Sequence, residues 1–185
     1  MNWSWIPNAL SLARMLLVPP SVLLLLAGRY ELTLVCFGCA AVSDGLDGWL
    51  AKSFGWTSRF GKIIDPIADK LLLVSLFVSL SVVRLVPLWL TVTVVLRDVV
   101  IVLGALAYRF LIGYLEGRPT AVSKLNTLLQ LLFVLLVIAK AQWGYLPDAA
   151  LLWLGAVVFV ATVISGLDYV LTYARAASRE RSVAS

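Results

Sequence analysis

The chain has 185 residues, of which 62% are hydrophobic and only 14% are charged. This apolar share is well above that of ordinary soluble domains, so a soluble globular fold is excluded. The formal net charge is +5, but lysine and arginine cluster near the ends of apolar runs, which fits membrane topology and anionic lipid better than nucleic acid. Because the chain contains no histidine, acid–base or metal chemistry must use carboxylates.

Apolar runs of about 20 residues recur along nearly the whole sequence, and each is long enough to cross a hydrocarbon layer of ~30 Å. We therefore predict a single all-α integral membrane domain over residues 1–185, with six transmembrane helices. The predicted helices cover residues 8–28, 32–53, 60–83, 86–108, 124–142 and 147–173. No basic region or small-residue cleavage site accompanies the first run, so we expect it to be retained as a helix.

The predicted connections are short and are marked by Gly28, by Arg84 with Pro87, and by Gly144 with Pro147. Six spans place both termini on one side, and the loops on that side hold most of the basic residues, so we expect cytoplasmic termini. The basic residues on that side are Lys52, Arg59, Lys62, Arg109, Arg118, Lys124, Arg175, Arg179 and Arg181, against Arg29, Arg84 and Lys140 on the other. We expect the segment 109–122 to lie along the membrane interface.

Two cysteines form a Cys-x-x-Cys pattern inside the second apolar run, at Cys36 and Cys39. Such a pair could in principle be a redox or metal site. Because the chain has no further cysteine and no histidine, we interpret both as buried small apolar residues.

Four aspartates lie within the second and third predicted helices, at Asp44, Asp47, Asp65 and Asp69. A charged side chain at membrane depth costs several kcal/mol, so it persists only in a polar cavity with a partner. Asp44 and Asp47 are three residues apart, and Asp65 and Asp69 are four apart, so each pair projects from one face of its helix. If the two helices pack antiparallel, all the carboxylates converge near the cytoplasmic surface.

Converging carboxylates repel one another unless cations neutralise them. Structural ion pairs with Lys62 and Lys70 are the alternative explanation, but the acids outnumber these cations. Oxygen-only ligands favour Mg²⁺ or Mn²⁺, and two such cations would suit displacement at a diphosphate. Gly45, Gly48 and Gly61 would either let a diphosphate approach the helix backbone or serve close helix packing. The sequence therefore predicts a divalent-metal site between the second and third helices.

The run from Asp44 to Asp69 resembles the signature of the CDP-alcohol phosphatidyltransferases. The family pattern reads Asp-x-x-Asp-Gly-x-x-Ala-Arg, eight residues, Gly, three residues, Asp, three residues, Asp, and every spacing agrees. One position departs, because Lys52 stands in place of the family's arginine and lacks the planar fork that grips phosphate at two places. The resemblance extends to Asn8 and Arg14 near the N-terminus and covers essentially the whole chain.

This resemblance implies transfer of a phosphatidyl group from CDP-diacylglycerol to an alcohol with release of CMP, using two divalent cations, Mg²⁺ or Mn²⁺. It also implies that Asp44, Asp47 and Asp65 bind metal, and that Asp69 completes the metal site and acts as the general base on the acceptor hydroxyl. The positions that would bind the donor are Asn8, Arg14, Gly48, Lys52 and Gly61. The alternative for Arg14 is that it extends to the lipid headgroups. We expect a homodimer, as is usual in the family, with its active site facing the cytoplasm of a bacterial inner membrane.

A second polar cluster is predicted from the fourth and fifth helices. It combines Arg97 and Asp98 with Pro119, Thr120, Ser123, Lys124, Asn126, Thr127 and Gln130. We expect Arg97 and Lys124 to bind an anionic acceptor; the alternative is an Arg97–Asp98 pair beside a lysine at the membrane interface. The arrangement looks more like that of eukaryotic-type cardiolipin synthases, which use phosphatidylglycerol, than like that of phosphatidylglycerophosphate synthases. We therefore favour phosphatidylglycerol as the acceptor and keep glycerol 3-phosphate as the alternative.

Two other classes of membrane protein also place acids within the bilayer. An intramembrane prenyltransferase holds a diphosphate with Mg²⁺, but its acids normally lie in two separate Asp-rich motifs. A cation transporter often shows internal repeats or broken helices, and neither is visible in this sequence. Release of CMP rather than pyrophosphate would distinguish the favoured function from the first of these alternatives.

Overall fold

The computed structural model describes the backbone of residues 5–54, 61–111 and 120–184, and the side chains of residues 12–43, 70–107 and 120–173. These ranges are helical apart from short connections. The helices are α1 (Trp5–Leu26), α2 (Tyr30–Phe54), α3 (Gly61–Val82), α4 (Leu88–Leu111), α5 (Ala121–Trp143) and α6 (Asp148–Ala184). Each of the six predicted apolar runs thus corresponds to one helix, with ends that differ by a few residues in most cases, and the all-helical fold is confirmed.

The helix ends differ from the prediction by three residues on either side of the segment 109–122 and by more at the end of the last helix. Helix α4 continues to Leu111 and α5 begins at Ala121, so the outer parts of this segment are helical, while residues 112–119 lie outside the described part of the chain. Helix α6 runs to Ala184, beyond the predicted end at 173. The apolar pattern stops near residue 173, but no proline or glycine follows to end the helix.

Three helical segments among the described residues are long and apolar enough to cross a membrane, Leu88–Ala107, Ala121–Trp143 and Asp148–Tyr173. Three further apolar helical segments are shorter, Leu12–Leu26, Tyr30–Ser43 and Lys70–Val82. Parts of the first three helices lie outside the described side chains, so the count of six transmembrane spans stays a prediction.

Three of the connections close with residues in the left-handed backbone region. At the end of α1, Gly28 has φ +71°, its N–H donates to the carbonyl of Leu25, and the N–H of Arg29 donates to the carbonyl of Leu24. This pair of bonds is the Schellman arrangement, which satisfies carbonyls at a helix end. Arg84 has φ 61° and ends α3 with the same bond pattern, so an arginine occupies a position that usually favours glycine.

Helix α1 is continuous although it contains Pro19 and Pro20. Each proline lacks the N–H that would reach the carbonyl four residues earlier, a loss that membrane helices tolerate when nearby groups compensate. The Ser21 hydroxyl donates to the carbonyl of Leu17 at 2.7 Å. Hydroxyls on the other helices also donate within their own helix, for example Thr93 to the carbonyl of Trp89 at 2.8 Å, so they carry no unsatisfied donor into an apolar surrounding.

The helices form two compact units, Met1–Val86 with Val134–Leu146, and Pro87–Phe133 with Pro147–Ser185. In the first unit, α1 packs against both α2 and α3. The buried face of α2 repeats at helical spacing through Thr33, Phe37 and Ala40. Cys36 is only half-buried and Cys39 is exposed, and both are free thiols. Our prediction that both cysteines are buried was therefore wrong, because they lie beside the face that packs.

In the second unit, α4 packs against α6. An added Cβ at Gly104 would lie 3.0 Å from the ring of Tyr173, so the absent side chain lets the two helices approach around this ring. The rings of Trp89 and Phe159 meet edge to face with centroids 5.3 Å apart, a favourable aromatic geometry. These contacts hold α4 and α6 side by side along the length that carries the polar residues described below.

Large apolar side chains are exposed on every helix, which is the reverse of a soluble domain. One example from each helix, in chain order, is Leu16, Leu32, Leu71, Leu88, Leu128 and Leu152. Several polar side chains are buried instead, as expected where the surrounding solvent is hydrocarbon. The exposed apolar surface therefore supports the predicted membrane location.

Candidate active site

The four aspartates of the predicted metal site lie on two helices that pack against the same neighbour. Asp44 and Asp47 belong to α2, Asp65 and Asp69 belong to α3, and both helices contact α1. Because these stretches are helical, spacings of three and four residues keep the two members of each pair on one side of their helix. The aspartate side chains themselves lie outside the described residues, so the convergence of the carboxylates stays a prediction.

The donor set of this site is compatible with a divalent cation. It consists of carboxylates alone, in a chain without histidine, and hard oxygen ligands are those that Mg²⁺ and Mn²⁺ prefer. No group of three or more His, Cys, Asp or Glu residues that could hold a metal occurs among the described side chains, a set that contains none of the four aspartates.

The residues predicted to bind the donor are distributed over the same three helices of the first unit. Asn8 lies on α1, Gly48 and Lys52 on α2, and Gly61 begins α3, but their side-chain surroundings fall outside the described residues. Arg14 is described, and it is only 1% exposed. An arginine that reached the lipid headgroups would be more exposed, so this finding goes against that alternative.

The predicted second polar cluster is present in the second unit, and its centre is the guanidinium of Arg97 on α4. Its Nη1 donates to Asp98 Oδ1 at 2.6 Å. Its Nη2 donates to Ser123 Oγ on α5 at 2.5 Å and to Ser165 Oγ on α6 at 2.6 Å, and its Nε donates to Ser165 Oγ at 3.3 Å. The ring of Tyr169 lies 5.8 Å from the guanidinium carbon, within reach of a cation–π interaction.

Arg97 and Asp98 form a buried ion pair, with side chains 5% and 11% exposed. The pair is neutral as a whole, which lowers the cost of holding a guanidinium within membrane helices. The pairing that we kept as an alternative is therefore found. Three N–H groups of the guanidinium donate to serine hydroxyls, so the arginine is held by three helices rather than by the aspartate alone.

Lys124, the second residue predicted to bind the acceptor, follows Ser123 in the first turn of α5 but its side chain is exposed. Thr120 precedes the helix, and its hydroxyl accepts a hydrogen bond from the backbone N–H of Ser123 at 3.2 Å, which is the usual N-cap arrangement. This cap fixes the first turn, so that Ser123 faces Arg97 while Lys124 points away from the buried cluster.

A second buried network lies on the same faces of α5 and α6. Gln130 Nε2 donates to Thr162 Oγ1 at 3.1 Å, and the Thr162 hydroxyl donates to Asn126 Oδ1 at 3.0 Å. Asn126 and Thr162 are fully buried, where such bonds fix the register of two helices because any sliding would leave polar groups unsatisfied.

The sequence prediction included the α4 and α5 members of these clusters but missed the α6 members, Thr162, Ser165 and Tyr169. Thr162 and Ser165 are three residues apart within an apolar run, so they share a helix face. This spacing is the one sequence feature that could have predicted a polar face on the sixth helix. It is weak evidence on its own, because serine and threonine in membrane helices commonly bond to their own backbone.

Comparison with known proteins identifies the family. The model of the CDP-alcohol phosphatidyltransferases matches residues 4–176. A probable cardiolipin synthase (CMP-forming) of Drosophila melanogaster is 32% identical over 92% of this chain and 58% of its own length. The cardiolipin synthase (CMP-forming) of Homo sapiens is 31% identical over 89% of this chain and 60% of its own length. This chain thus spans about three fifths of these two animal proteins.

A bacterial relative is matched over more of its length. The probable phosphatidylglycerophosphate synthase of Mycobacterium tuberculosis (strain ATCC 25618 / H37Rv) is 33% identical over 88% of this chain and 78% of its own length. The family match includes all four aspartates as well as Arg97 and Lys124. Because the match extends over nearly the whole sequence, the chain belongs to the CDP-alcohol phosphatidyltransferase family.

Proposed function

We propose that this chain transfers a phosphatidyl group from CDP-diacylglycerol to phosphatidylglycerol, giving cardiolipin and CMP. The observation that carries the proposal is the Asp44–Asp69 signature, which lies on two helices that pack against α1 in a chain that belongs to this family. The names of the animal relatives, cardiolipin synthase (CMP-forming), support the choice of acceptor.

In the proposed reaction the acceptor hydroxyl oxygen attacks the phosphorus that carries the diacylglycerol. A new oxygen–phosphorus bond forms, the bond from this phosphorus to the oxygen shared with the cytidine phosphate breaks, and CMP leaves with the bonding electrons. Asp69 takes the hydroxyl proton, since a carboxylate beside the donor phosphates can deprotonate an approaching alcohol in place. Asn8, Arg14, Gly48, Lys52 and Gly61 are the residues that we assign to donor binding.

Asp44, Asp47, Asp65 and Asp69 are the residues that would hold the divalent cations. When bound, two such cations would neutralise the phosphoryl oxygens of the donor and stabilise the leaving group. Without a cation, four carboxylates close to one another would repel the donor diphosphate. The proposed enzyme should therefore lose activity in a chelator and recover it on addition of Mg²⁺ or Mn²⁺.

A second acceptor, glycerol 3-phosphate, is favoured by one specific observation. The mycobacterial relative named as a phosphatidylglycerophosphate synthase is matched over 78% of its length, more than the 58% of the Drosophila cardiolipin synthase. Both acceptors carry a phosphate, so the proposed role of Arg97 and Lys124 in acceptor binding applies to either. The two acceptors give different lipid products, cardiolipin and phosphatidylglycerophosphate, which mass spectrometry distinguishes.

The experiment uses the purified chain with CDP-diacylglycerol, one divalent cation and either acceptor at matched subsaturating levels, with CMP and lipid products measured by mass spectrometry. We expect cardiolipin to form faster than phosphatidylglycerophosphate and EDTA to stop both. If glycerol 3-phosphate is consumed faster, the proposed function becomes phosphatidylglycerophosphate synthesis instead of cardiolipin synthesis. Full activity in metal-free protein with EDTA would refute the metal site, and pyrophosphate in place of CMP would refute the phosphatidyltransferase assignment.

The acceptor site is tested best at Lys124, because its exposed side chain can be removed without loss of packing. We expect Lys124→Ala to raise the Michaelis constant for the acceptor several-fold and to change that for CDP-diacylglycerol little. Arg29→Ala, which removes an exposed cation in the α1–α2 connection, is the matched control and should change neither. If Lys124→Ala changed only the Michaelis constant for CDP-diacylglycerol, the proposal that Lys124 binds the acceptor would be wrong.

A further inference from the structure

The guanidinium of Arg97 is held by the protein at most of its donor positions. An arginine has five N–H donors in a planar fork. Four hydrogen bonds engage Nε, both N–H groups of Nη2, and one of the two on Nη1. Within the described part of the chain, one N–H on Nη1 remains for a ligand. Arg97 is thus fixed in one orientation with a single donor left over.

Ser165 accepts two of the four hydrogen bonds that set this orientation. Its hydroxyl oxygen accepts from both Nε and Nη2, which lie along one edge of the fork. Rotation of the guanidinium about its Cδ–Nε bond would break the Nη2 contact, so Ser165 constrains the plane of the group. Gly166 lies beside the arginine stem, since a Cβ there would be 3.6 Å from Arg97 Cγ, and Tyr169 follows one turn later.

The placement of Ser165 depends on the register of α5 and α6. Thr162 precedes Ser165 by three residues, and Asn126 follows Ser123 by three, so the Asn126–Thr162 bond lies one turn away from the serines that bind Arg97. This bond is fully buried. The register of the two helices therefore brings both serine hydroxyls to the same guanidinium, where each accepts from Nη2.

We infer that Ser165 is a positioning residue for acceptor binding, which orients Arg97 so that its remaining Nη1 N–H is presented to the phosphate of an anionic alcohol. This inference rests on the proposed function, in which Arg97 binds the acceptor. Because Arg97 and Asp98 are neutral together, net charge alone attracts a phosphate weakly, and the orientation of the donor decides the affinity. In this role Ser165 acts only through Arg97, whose Nε and Nη2 it binds.

The test compares Ser165→Ala with Ser165→Thr, which keeps the hydroxyl, and with Thr172→Ala. Thr172 is the matched control on α6, because its exposed hydroxyl donates only to the carbonyl of Asp168. We expect Ser165→Ala to raise the Michaelis constant for the acceptor by about tenfold and to leave that for CDP-diacylglycerol within about twofold. Ser165→Thr should restore most of the acceptor affinity, and Thr172→Ala should match the unchanged chain.

A second measurement avoids catalysis and separates the inference from the proposed function. Short-chain phosphatidylglycerol and glycerol 3-phosphate are titrated against the melting temperature of each purified protein, and we expect Ser165→Ala to need about tenfold more ligand for the same rise. Equal titrations for Ser165→Ala and the unchanged chain, or equal increases of both Michaelis constants, would overturn the positioning role alone. If the unchanged chain binds neither acceptor and forms no CMP, the proposed function falls and this inference falls with it.

Discussion

Two kinds of charged residue occur within the membrane helices, and they differ in how their charge is balanced. Arg97 is balanced by its neighbour Asp98 and by serine hydroxyls on two other helices. The aspartates of α2 and α3 share residues 44–70 with four lysines and arginines, so the formal charges of this stretch cancel, but each helix carries its two acids as a pair on one side. A buried ion pair can be structural, whereas acids paired on one helix face at membrane depth are the pattern of a site that receives cations.

The first prediction concerns Asp69 as the general base. Asp69→Asn should lower the rate of CMP formation by at least about a hundredfold, since general-base catalysis contributes ~10²–10⁴ in rate and the amide can neither accept the proton nor offer the same charge to a cation. The melting temperature in detergent should change little, because the two side chains are nearly equal in size. Rates are measured with CDP-diacylglycerol and phosphatidylglycerol at saturating cation.

Asp148→Asn is the control for this substitution, because Asp148 is an exposed residue in the first turn of α6, remote in sequence from the signature. It should keep its full rate, although the loss of a favourable charge at a helix start lowers stability slightly. If Asp69→Asn kept a rate near that of the unchanged chain, the general-base role would have to move to another carboxylate of the signature.

At the residue scale, the sequence predicted what its spacing encodes and missed what depends on packing. The Asp44–Asp69 signature and the polar face of Ser123, Asn126 and Gln130 are local patterns. Ser165 is 68 positions from Arg97 along the chain, and no local rule connects the two. The burial of Arg14 was equally undecided from sequence, because an arginine in a membrane helix can either pack inward or extend to the headgroups.

At the scale of helices, hydrophobic length predicted where each helix lies, and glycine predicted two of the ends. Gly28 and Gly144 both have positive φ, as expected for residues that close helices. Arg84 adopts the same conformation at the end of α3, which composition does not predict. The continuity of α1 through Pro19 and Pro20 likewise follows from its apolar surroundings, in which breaking the helix would expose more backbone groups than the prolines leave unbonded.

The second prediction separates backbone conformation from packing at two glycines. A Cβ at Gly28 or at Gly38 would have no atom within 4 Å, so neither substitution by alanine creates a clash. Gly28 has φ +71°, which costs an alanine ~1–2 kcal/mol, whereas Gly38 lies within α2, where alanine is favoured by ~0.5–1 kcal/mol. Gly28→Ala should therefore lower the melting temperature in detergent, and Gly38→Ala should raise it.

Each variant is the control for the other, since both add the same methyl group to the first unit. The unfolding curves are recorded at one detergent and protein concentration. A fall of similar size in both variants would mean that the added methyl group, not the backbone angle, decides stability. That result would contradict the helix end that the hydrogen bonds of Gly28 and Arg29 describe.

At the scale of the whole molecule, the exposed apolar surface and the buried polar clusters both require a hydrocarbon surrounding. Three segments are long enough to span a bilayer within the described residues, and the other three helices contain shorter apolar stretches that precede or follow the polar signature. Each of these shorter stretches has one end at a limit of the described side chains, at residue 12, 43 or 70. The count of six spans therefore stays a prediction from hydrophobic length.

The third prediction tests the membrane topology with single cysteines. In a background in which Cys36→Ala and Cys39→Ala remove the natural thiols, a cysteine is introduced by Tyr145→Cys in the α5–α6 connection or by Ser58→Cys between α2 and α3. Tyr145 is 88% exposed, so its replacement should be accessible. If all six helices span, a membrane-impermeant maleimide should label Tyr145→Cys in intact spheroplasts and should label Ser58→Cys only after lysis.

The expected asymmetry follows from the basic residues, because loops rich in lysine and arginine stay on the cytoplasmic side. In the sequence, Ser58 is flanked by Lys52, Arg59 and Lys62, whereas Lys140 is the only basic residue close to Tyr145. Arg84→Cys in the same background is the control and should label like Tyr145→Cys, since an even number of spans separates the two connections. Labelling of Ser58→Cys in intact spheroplasts would put the aspartate signature on the outer side. CDP-diacylglycerol made at the cytoplasmic face could not then reach it directly, and the proposed donor would have to cross the bilayer first.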